Sequence, residues 1–280
     1  MIVANDEISY VVANALKTGE LITFLTGSGV SSESGIPTFR GAEGYWTIGS
    51  IQYMPSEIAS LAMLRKMPKE VWRWFLFRRG VCMDSQPNAG HIAIAEIDHL
   101  LGNRFRLITQ NVDGLHCRAG NSSMHLYQVH GNIHYMRCMN GCGDSLYPIP
   151  AELVLKARDD DLTDDQWQQL QCPLCNSLAR PHVLLWDEFY DEVLYRYYSS
   201  IAAASQSGLL VMAGTSGSSN CPNQVANAVL ERGATVVDIN TQSSALSMLA
   251  LRTDGGAFWK GDSATFLSRL AEVFKDQLSG

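Results

Sequence analysis

Three groups of residues in this sequence carry the types and spacings that chemistry needs. The first is the run Gly27-Ser28-Gly29-Val30-Ser31-Ser32-Glu33-Ser34-Gly35-Ile36-Pro37-Thr38-Phe39-Arg40. Glycines directly after an apolar run let backbone N–H groups come close to a phosphate. The dinucleotide fingerprint G-x-G-x-x-G would need glycine at position 32, where Ser32 stands. A lone G-x-G also fits an ordinary tight turn. The dense small-residue run, the extended Ile36-Pro37 step and Phe39-Arg40 point beyond that.

The second group is Thr109-Gln110-Asn111-Val112-Asp113-Gly114-Leu115-His116. Gln110, Asn111 and Asp113 at a strand end can hydrogen-bond a sugar and an amide; an Asp-Gly turn is the plainer reading. His130-Gly131 follows the short apolar stretch 126–129. A histidine there is a candidate general base, because a neutral imidazole accepts a proton near pH 7. The third group is Cys138-x3-Cys142 and Cys172-x2-Cys175. Two close thiolate pairs can close a tetrahedron around zinc, with residues 143–171 looped out between them. Unrelated reduced cysteines are the alternative. Gly214-Thr215-Ser216 and Asn240 complete a set of small polar residues at predicted strand ends, suited to phosphate and ribose.

The elements that must position these groups follow from apolar runs and periodicity. A helix is expected over 5–18, with Asp6 at its N-cap. LITFLT (21–26) reads as a buried strand, as do FRLITQ (105–110), HVLLW (182–186), LLVMAG (209–214) and TVVDIN (235–240). Helical patterns at 89–101, 189–205, 222–232 and 263–278 separate several of them. Strands alternating with helices predict an α/β fold: a Rossmann-like parallel sheet with helices on both faces. Two stretches break the alternation: 56–83, helix-like and rich in aromatic and basic residues, and 132–180, which holds the four spaced cysteines and RDDDLTDD (158–165). The expected organisation is a large Rossmann-like domain of 1–38, 84–131 and 181–280. A smaller domain of 39–83 and 132–180 would combine a helical module with a zinc module. Ligand sites of parallel sheets lie at the carboxyl ends of strands, so the loops at 27–40, 110–116, 214–220 and 240–244 should converge.

Composition bounds the function classes. The chain has 280 residues and a formal net charge of −7, which argues against a surface for nucleic-acid phosphates. No run of 18 apolar residues predicts a membrane span, and the N-terminus does not read as a secretory signal. The reducing cytoplasm is the expected compartment, where seven cysteines suggest metal or catalysis before disulfides. Oligomeric state leaves no mark.

Taken together these segments resemble the sirtuin family, over residues 20 to 265. GSGVSSESGIPTFRG resembles its NAD-binding loop, TQNVDGLH its nicotinamide-ribose motif, His130-Gly131 its catalytic histidine, the four cysteines its zinc site, and RPHVLLWDE (180–188) the strand that pairs with the substrate peptide. The resemblance implies an NAD-dependent protein lysine deacylase acting on an acyl-lysine protein or peptide. In that chemistry the acyl oxygen attacks the ribose C1′ as nicotinamide leaves. The histidine then deprotonates a ribose hydroxyl, and the products are nicotinamide, free lysine and O-acyl-ADP-ribose. It also implies roles. Gly27, Ser28, Val30, Thr38, Phe39 and Arg40 would line the cofactor, and Gln110, Asn111 and Asp113 would hold nicotinamide and its ribose. Asn111 and His130 would be catalytic. Gly214, Thr215, Ser216, Asn240, Gln242 and Ser263 would surround phosphates and adenosine. Leu184, Trp186 and Glu188 would meet the peptide.

This chain departs from the family pattern at four places. Thr38 stands where many deacetylases have Asp, as it does in the branch that removes acidic acyl groups. That branch carries Tyr-x-x-Arg for the acyl carboxylate, and this chain has Phe75-Leu76-Phe77-Arg78. Asp187 replaces the usual glycine before Glu188, and the loop GSSNCPNQ (217–224) lacks the usual valine-tyrosine-proline. Some sirtuin branches transfer ADP-ribose to protein or hydrolyse NAD, and that is the alternative activity.

Overall fold

The computed structural model describes residues 5–37 and 46–279, with the side chain of residue 5 left out; Thr38, Phe39 and Arg40 lie outside the described residues. Among these residues the core of the molecule is a parallel sheet of β1 (Leu21–Thr26), β4 (Phe105–Thr109), β5 (Leu126–Gln128), β9 (Ser207–Ala213), β10 (Thr235–Asn240) and β11 (Ala257–Lys260). The strand order is β11-β10-β9-β1-β4-β5, and every ladder in it is parallel. The order runs outward in both directions from β1, so the crevice where the winding reverses opens at the carboxyl ends of β1 and β9. Open α/β sheets bind ligands at this point.

The strands are continuous apolar runs because both faces of the sheet are covered. Ile22, Phe24, Leu209 and Val211 pack under the helices Asn5–Thr18, Ala89–Leu101 and Ser263–Ser279, where Ile8, Ile94, Leu267 and Phe274 are fully buried. On the other face Leu25, Ile108, Leu210 and Met212 meet the helices Tyr197–Ala204, Asn220–Leu230 and Ala245–Ala250. Each such side chain taken from water contributes about 1.5–3 kcal/mol. The helix Ala89–Leu101 starts where Asn88 accepts hydrogen bonds from the Gly90 and His91 amides, while the Asn88 amide donates to the His91 Nδ1.

Outside the large sheet lie a hairpin of β2 (Trp46–Ile48) and β3 (Ile51–Tyr53) and an antiparallel sheet of β6 (Gly131–Cys138), β7 (Tyr147–Pro148) and β8 (Ala179–Val183) in the order β7-β6-β8. The helix Pro68–Asp84 packs Trp72 and Leu76 against that sheet. Its opposite side carries Trp74 and Phe75 into a cluster with Ile133, Val183 and Leu185.

Several expectations need correction. The run 182–186 is not a strand of the parallel sheet: pairing begins earlier, at Ala179, is antiparallel to β6, and ends at Val183. A short apolar run reads the same in either kind of buried sheet, so the sequence could not assign its partner. The helical pattern at 189–205 is two helices, Glu192–Tyr195 and Tyr197–Ala204, broken at Arg196, whose φ is +52°. The stretch 56–83 divides into the helices Pro55–Ile58, Leu61–Lys66 and Pro68–Asp84, the last starting at a proline that cannot extend a preceding helix. Asp6 lies inside the first turn of its helix rather than at the cap. The edge strand β11 and the β2–β3 hairpin have too few residues to show a period.

Candidate active site

The loops after β1 and β9 meet backbone to backbone. Gly27 N donates to Ala213 O and Gly29 N to Gly214 O. A Cβ on Gly29 would fall 2.7 Å from the Gly214 Cα, and one on Gly214, whose φ is +60°, would fall 2.5 Å from the Val30 N. Only glycine permits this contact. It makes a floor of bare backbone, the surface that lets a pyrophosphate come close.

Above that floor is a cavity of about 380 Å³. Its lining includes Gly27, Ser28, Gln110, Asn111, His130, Gly214, Thr215 and Ser216, together with Trp74, Phe75, Arg78, Leu184, Trp186 and Glu188. Residues from six separate segments of the sequence thus share one chamber. A smaller recess of about 20 Å³ is lined by Ser28, Ser31, Arg78, Asn111 and Asp113. Gly27, Ser28, Gln110, Asn111, Gly214, Thr215 and Ser216 are brought together as the sequence suggested. The Val30 side chain is turned into the core under the sheet. Asn240, Gln242 and Ser263 stand outside the lining of both cavities; Asn240 donates to the Thr215 carbonyl at 2.8 Å, joining the two loops.

The polar side chains form a directed chain. Asn111 Nδ2 donates to Gly27 O and to Ser31 Oγ, each at 3.0 Å. Ser31 Oγ donates to Asp113 Oδ2 at 2.7 Å, and Asp113 Oδ1 accepts from the Leu115 amide at 2.9 Å. His91 accepts from an amide at Nδ1, so its Nε2–H points at Ser31 Oγ, 3.4 Å away. Burial pushes the His91 pKa down to about 4, consistent with that neutral tautomer. Gln110 is clamped from both ends: its Nε2 donates to Thr215 Oγ1 and its Oε1 accepts from Ser219 Oγ. Ser219 lies in the loop that departs from the family pattern.

His130 has its tautomer decided by its neighbours. Its Nδ1 lies 2.9 Å from the Gln110 carbonyl, which can only accept, so Nδ1 carries the proton and Nε2 the lone pair. Burial lowers its pKa to about 4, against the opposing effect of that carbonyl. The ring is therefore neutral at pH 7, and its lone pair lies on the cavity wall. The Nε2 partner is Tyr190 Oη at 3.0 Å. Sequence reasoning missed Tyr190, because a tyrosine in a loop carries no motif.

Phe75 and Arg78 lie on one face of their helix, and both reach the cavity. The Arg78 guanidinium stands over the Trp74 ring at 5.4 Å and Nη2 donates to the Pro37 carbonyl. Burial lowers its pKa, with Cys82 and Asp113 opposing that shift. Glu188 is ion-paired with Arg180, with its second oxygen accepting from the Leu185 amide. Asp187 accepts from the Leu61 and Ala62 amides at 2.6 and 3.1 Å, so the residue that replaces a glycine caps the helix Leu61–Lys66 across the mouth of the cleft. Beside it the Trp186 amide donates to the Ala59 carbonyl at 3.0 Å.

Cys138, Cys142, Cys172 and Cys175 converge at the far end of the antiparallel sheet, with all four Sγ atoms within 4.8 Å of one another. Zinc bound at about 2.3 Å to four thiolates gives S–S edges of roughly 3.8 Å; the Cys138–Cys175 and Cys142–Cys172 pairs lie at 3.5 Å and no pair exceeds 4.8 Å, so the four cysteines fit zinc with small adjustments.

A family model described as Sir2 family matches residues 27–220. An "NAD-dependent protein deacylase" of Leptospira interrogans is 38% identical over 226 residues, 81% of this chain and 83% of the relative. "NAD-dependent protein deacylase 2" of Pyrobaculum aerophilum is 35% identical over 269 residues, 95% and 96% of the two chains. Among solved structures, a Sir2 homolog–NAD complex superposes with a TM-score of 0.79 at 28% identity, covering 98% of this chain and 94% of that one. A mutant Sir2 homologue with 2′-O-acetyl ADP-ribose superposes at 0.77 and 29% identity, covering 98% of each.

Proposed function

Because this chain belongs to the Sir2 family, we propose that it is an NAD-dependent protein lysine deacylase that releases nicotinamide, free lysine and O-acyl-ADP-ribose. The observation that carries the reading is His130: a neutral imidazole with Nε2 as its lone-pair atom, in the same cavity as the glycine floor. NAD, when bound, supplies an electrophilic ribose C1′ with nicotinamide as an already cationic leaving group. Positioning and one base are then enough, without a strong acid.

In this reading residues 1–38, 84–131 and 181–280 form the NAD-binding unit, and 39–83 with 132–180 the smaller unit. Gly27, Ser28, Gly214, Thr215 and Ser216 receive the phosphates. Gln110, Asn111 and Asp113, held rigid by Ser31, Thr215 and Ser219, orient nicotinamide and ribose. The acyl-lysine enters between Phe75, Val183, Leu184 and Trp186, whose apolar surfaces exclude water. His130 takes a proton from a ribose hydroxyl. The four cysteines hold zinc, which keeps the small sheet folded. Thiolates need a reducing setting, which supports the cytoplasm as the compartment.

Incubation with NAD and an acyl-lysine peptide, read by mass spectrometry, tests this: O-acyl-ADP-ribose is the expected product. Free ADP-ribose or ADP-ribosylated protein without deacylation would replace this reading with hydrolysis or transfer. His130→Ala should retain NAD binding by calorimetry and lose about 10²–10⁴-fold in kcat. Arg78 and Phe75 on the cavity wall support an acyl chain that ends in a carboxylate. Succinyl-lysine should then be cleaved faster than acetyl-lysine, with Arg78→Met reversing the order. An acetyl preference unchanged by Arg78→Met removes that arginine from acyl recognition.

A further inference from the structure

The base in this site already has a partner. Nδ1 of His130 is committed to the Gln110 carbonyl, so Nε2 has a single lone pair, and the Tyr190 hydroxyl donates to it at 3.0 Å. A ribose hydroxyl cannot donate to that lone pair while the phenol does. Either the phenol withdraws during each turnover or it carries the proton.

The surroundings of Tyr190 favour the second. Its ring stacks on Tyr197 at 3.9 Å between centroids, with 11° between planes. Tyr197 is itself held, its hydroxyl donating to Gln224 Oε1 at 2.7 Å, and it lies in the core beneath the helix Asn220–Leu230. The Tyr190 ring also lies nearly parallel to His130, at 5.8 Å and 22°. Burial keeps the phenol protonated. Withdrawing the phenol would break two ring contacts and the bond to His130. A phenol oxygen that donates one hydrogen bond keeps the capacity to accept another, and Tyr190 lines the same cavity as His130.

We propose that Tyr190 is a catalytic proton relay between the ribose hydroxyl and His130, an inference that rests on the deacylase reading above. The ribose O–H bond breaks and its proton passes to Tyr190 Oη. The proton already on Oη passes to His130 Nε2. The phenol ends neutral, the imidazole becomes imidazolium, and the ribose oxygen keeps the electron pair of its broken bond for attack on the acyl carbon.

Tyr190→Phe retains the stacked ring and deletes only the hydroxyl. Two readouts separate the steps: exchange of labelled nicotinamide into NAD in the presence of acyl-peptide, which reports nicotinamide departure, and formation of O-acyl-ADP-ribose, which needs the base. The relay predicts that exchange is retained while O-acyl-ADP-ribose formation falls by about 10²-fold or more. It also predicts a curved proton inventory in mixed light and heavy water for the wild type, two protons being in flight, which becomes linear in the variant. Turnover that is unchanged or faster in Tyr190→Phe overturns the relay, because the hydroxyl is then a spectator or a block. Exchange and turnover falling together also overturn it, since the tyrosine would then serve cofactor placement. A wild type with neither exchange nor O-acyl-ADP-ribose overturns the deacylase reading itself, and the relay with it.

Discussion

The floor of the cleft and the cysteine knuckle both hold loops in fixed positions, and they do so by opposite means. Under the floor, Ile22, Phe24, Leu25 and all of Leu209–Ala213 are fully buried, so the two glycine loops are seated by the strands they follow. In the knuckle, residues 141–146 and 173–176 are exposed, and little apolar surface is available to order them. Burial organises the first region; ligation by four thiolates would organise the second. The two regions should therefore respond to different insults.

The largest effect expected from this contrast is on metal removal. Cys172→Ala, or a strong chelator, should unfold the knuckle, since structural zinc contributes about 10–16 kcal/mol in small metal-dependent folds. Hydrogen exchange should show protection lost over 132–180 and kept in 21–26 and 209–213. Folded, active protein with no zinc by metal analysis would break the comparison.

The floor should be insensitive to chelation and sensitive to a single methyl. Gly214→Ala places a Cβ against the Val30 amide at a φ of +60°, a strain of roughly 1–3 kcal/mol. NAD affinity should fall more than the thermal midpoint does, while zinc content is unchanged. A variant that binds NAD normally would show that the two loops can part cheaply.

Asp187 ties the segment after β8 to the helix Leu61–Lys66, and its removal should have a smaller effect. Against the upward push of partial burial, the Leu61 and Ala62 amides keep its carboxyl below the usual range. Asp187→Ala should cost about 0.5–2 kcal/mol, as loss of a helix cap does. It should fray Leu61–Lys66 in hydrogen exchange without altering NAD binding. Unchanged exchange there would mean the helix is held by its packing alone.

Acid perturbs the molecule gradually. Burial lowers the pKa values of His91, His130 and His182 to about 4, against about 6.5 in an unfolded chain. Between these values the unfolded state binds more protons, so stability present above pH 6.5 is lost as pH falls toward 4. The thermal midpoint should drop steadily across that window. A flat midpoint would mean these rings do not resist protonation.

What the sequence by itself determined was whatever rests on local pattern. The apolar runs at 21–26 and 235–240 and the periodic stretch at 89–101 became elements at nearly those bounds, because a covered strand and an amphipathic helix each leave a period in composition. The four cysteines read as two close pairs from their spacing, and it was the fold that brought the two pairs together. Tertiary structure decided the rest. It turned 179–183 antiparallel, since a buried apolar strand does not encode its neighbour, and it turned Val30 into the core while its neighbours face the cleft. It brought Asp187 onto an amide pair more than a hundred residues earlier in the chain. It also set Tyr190 on the lone pair of His130, a hydrogen bond between residues 60 apart in sequence that exists only because two loops close over the same strand ends.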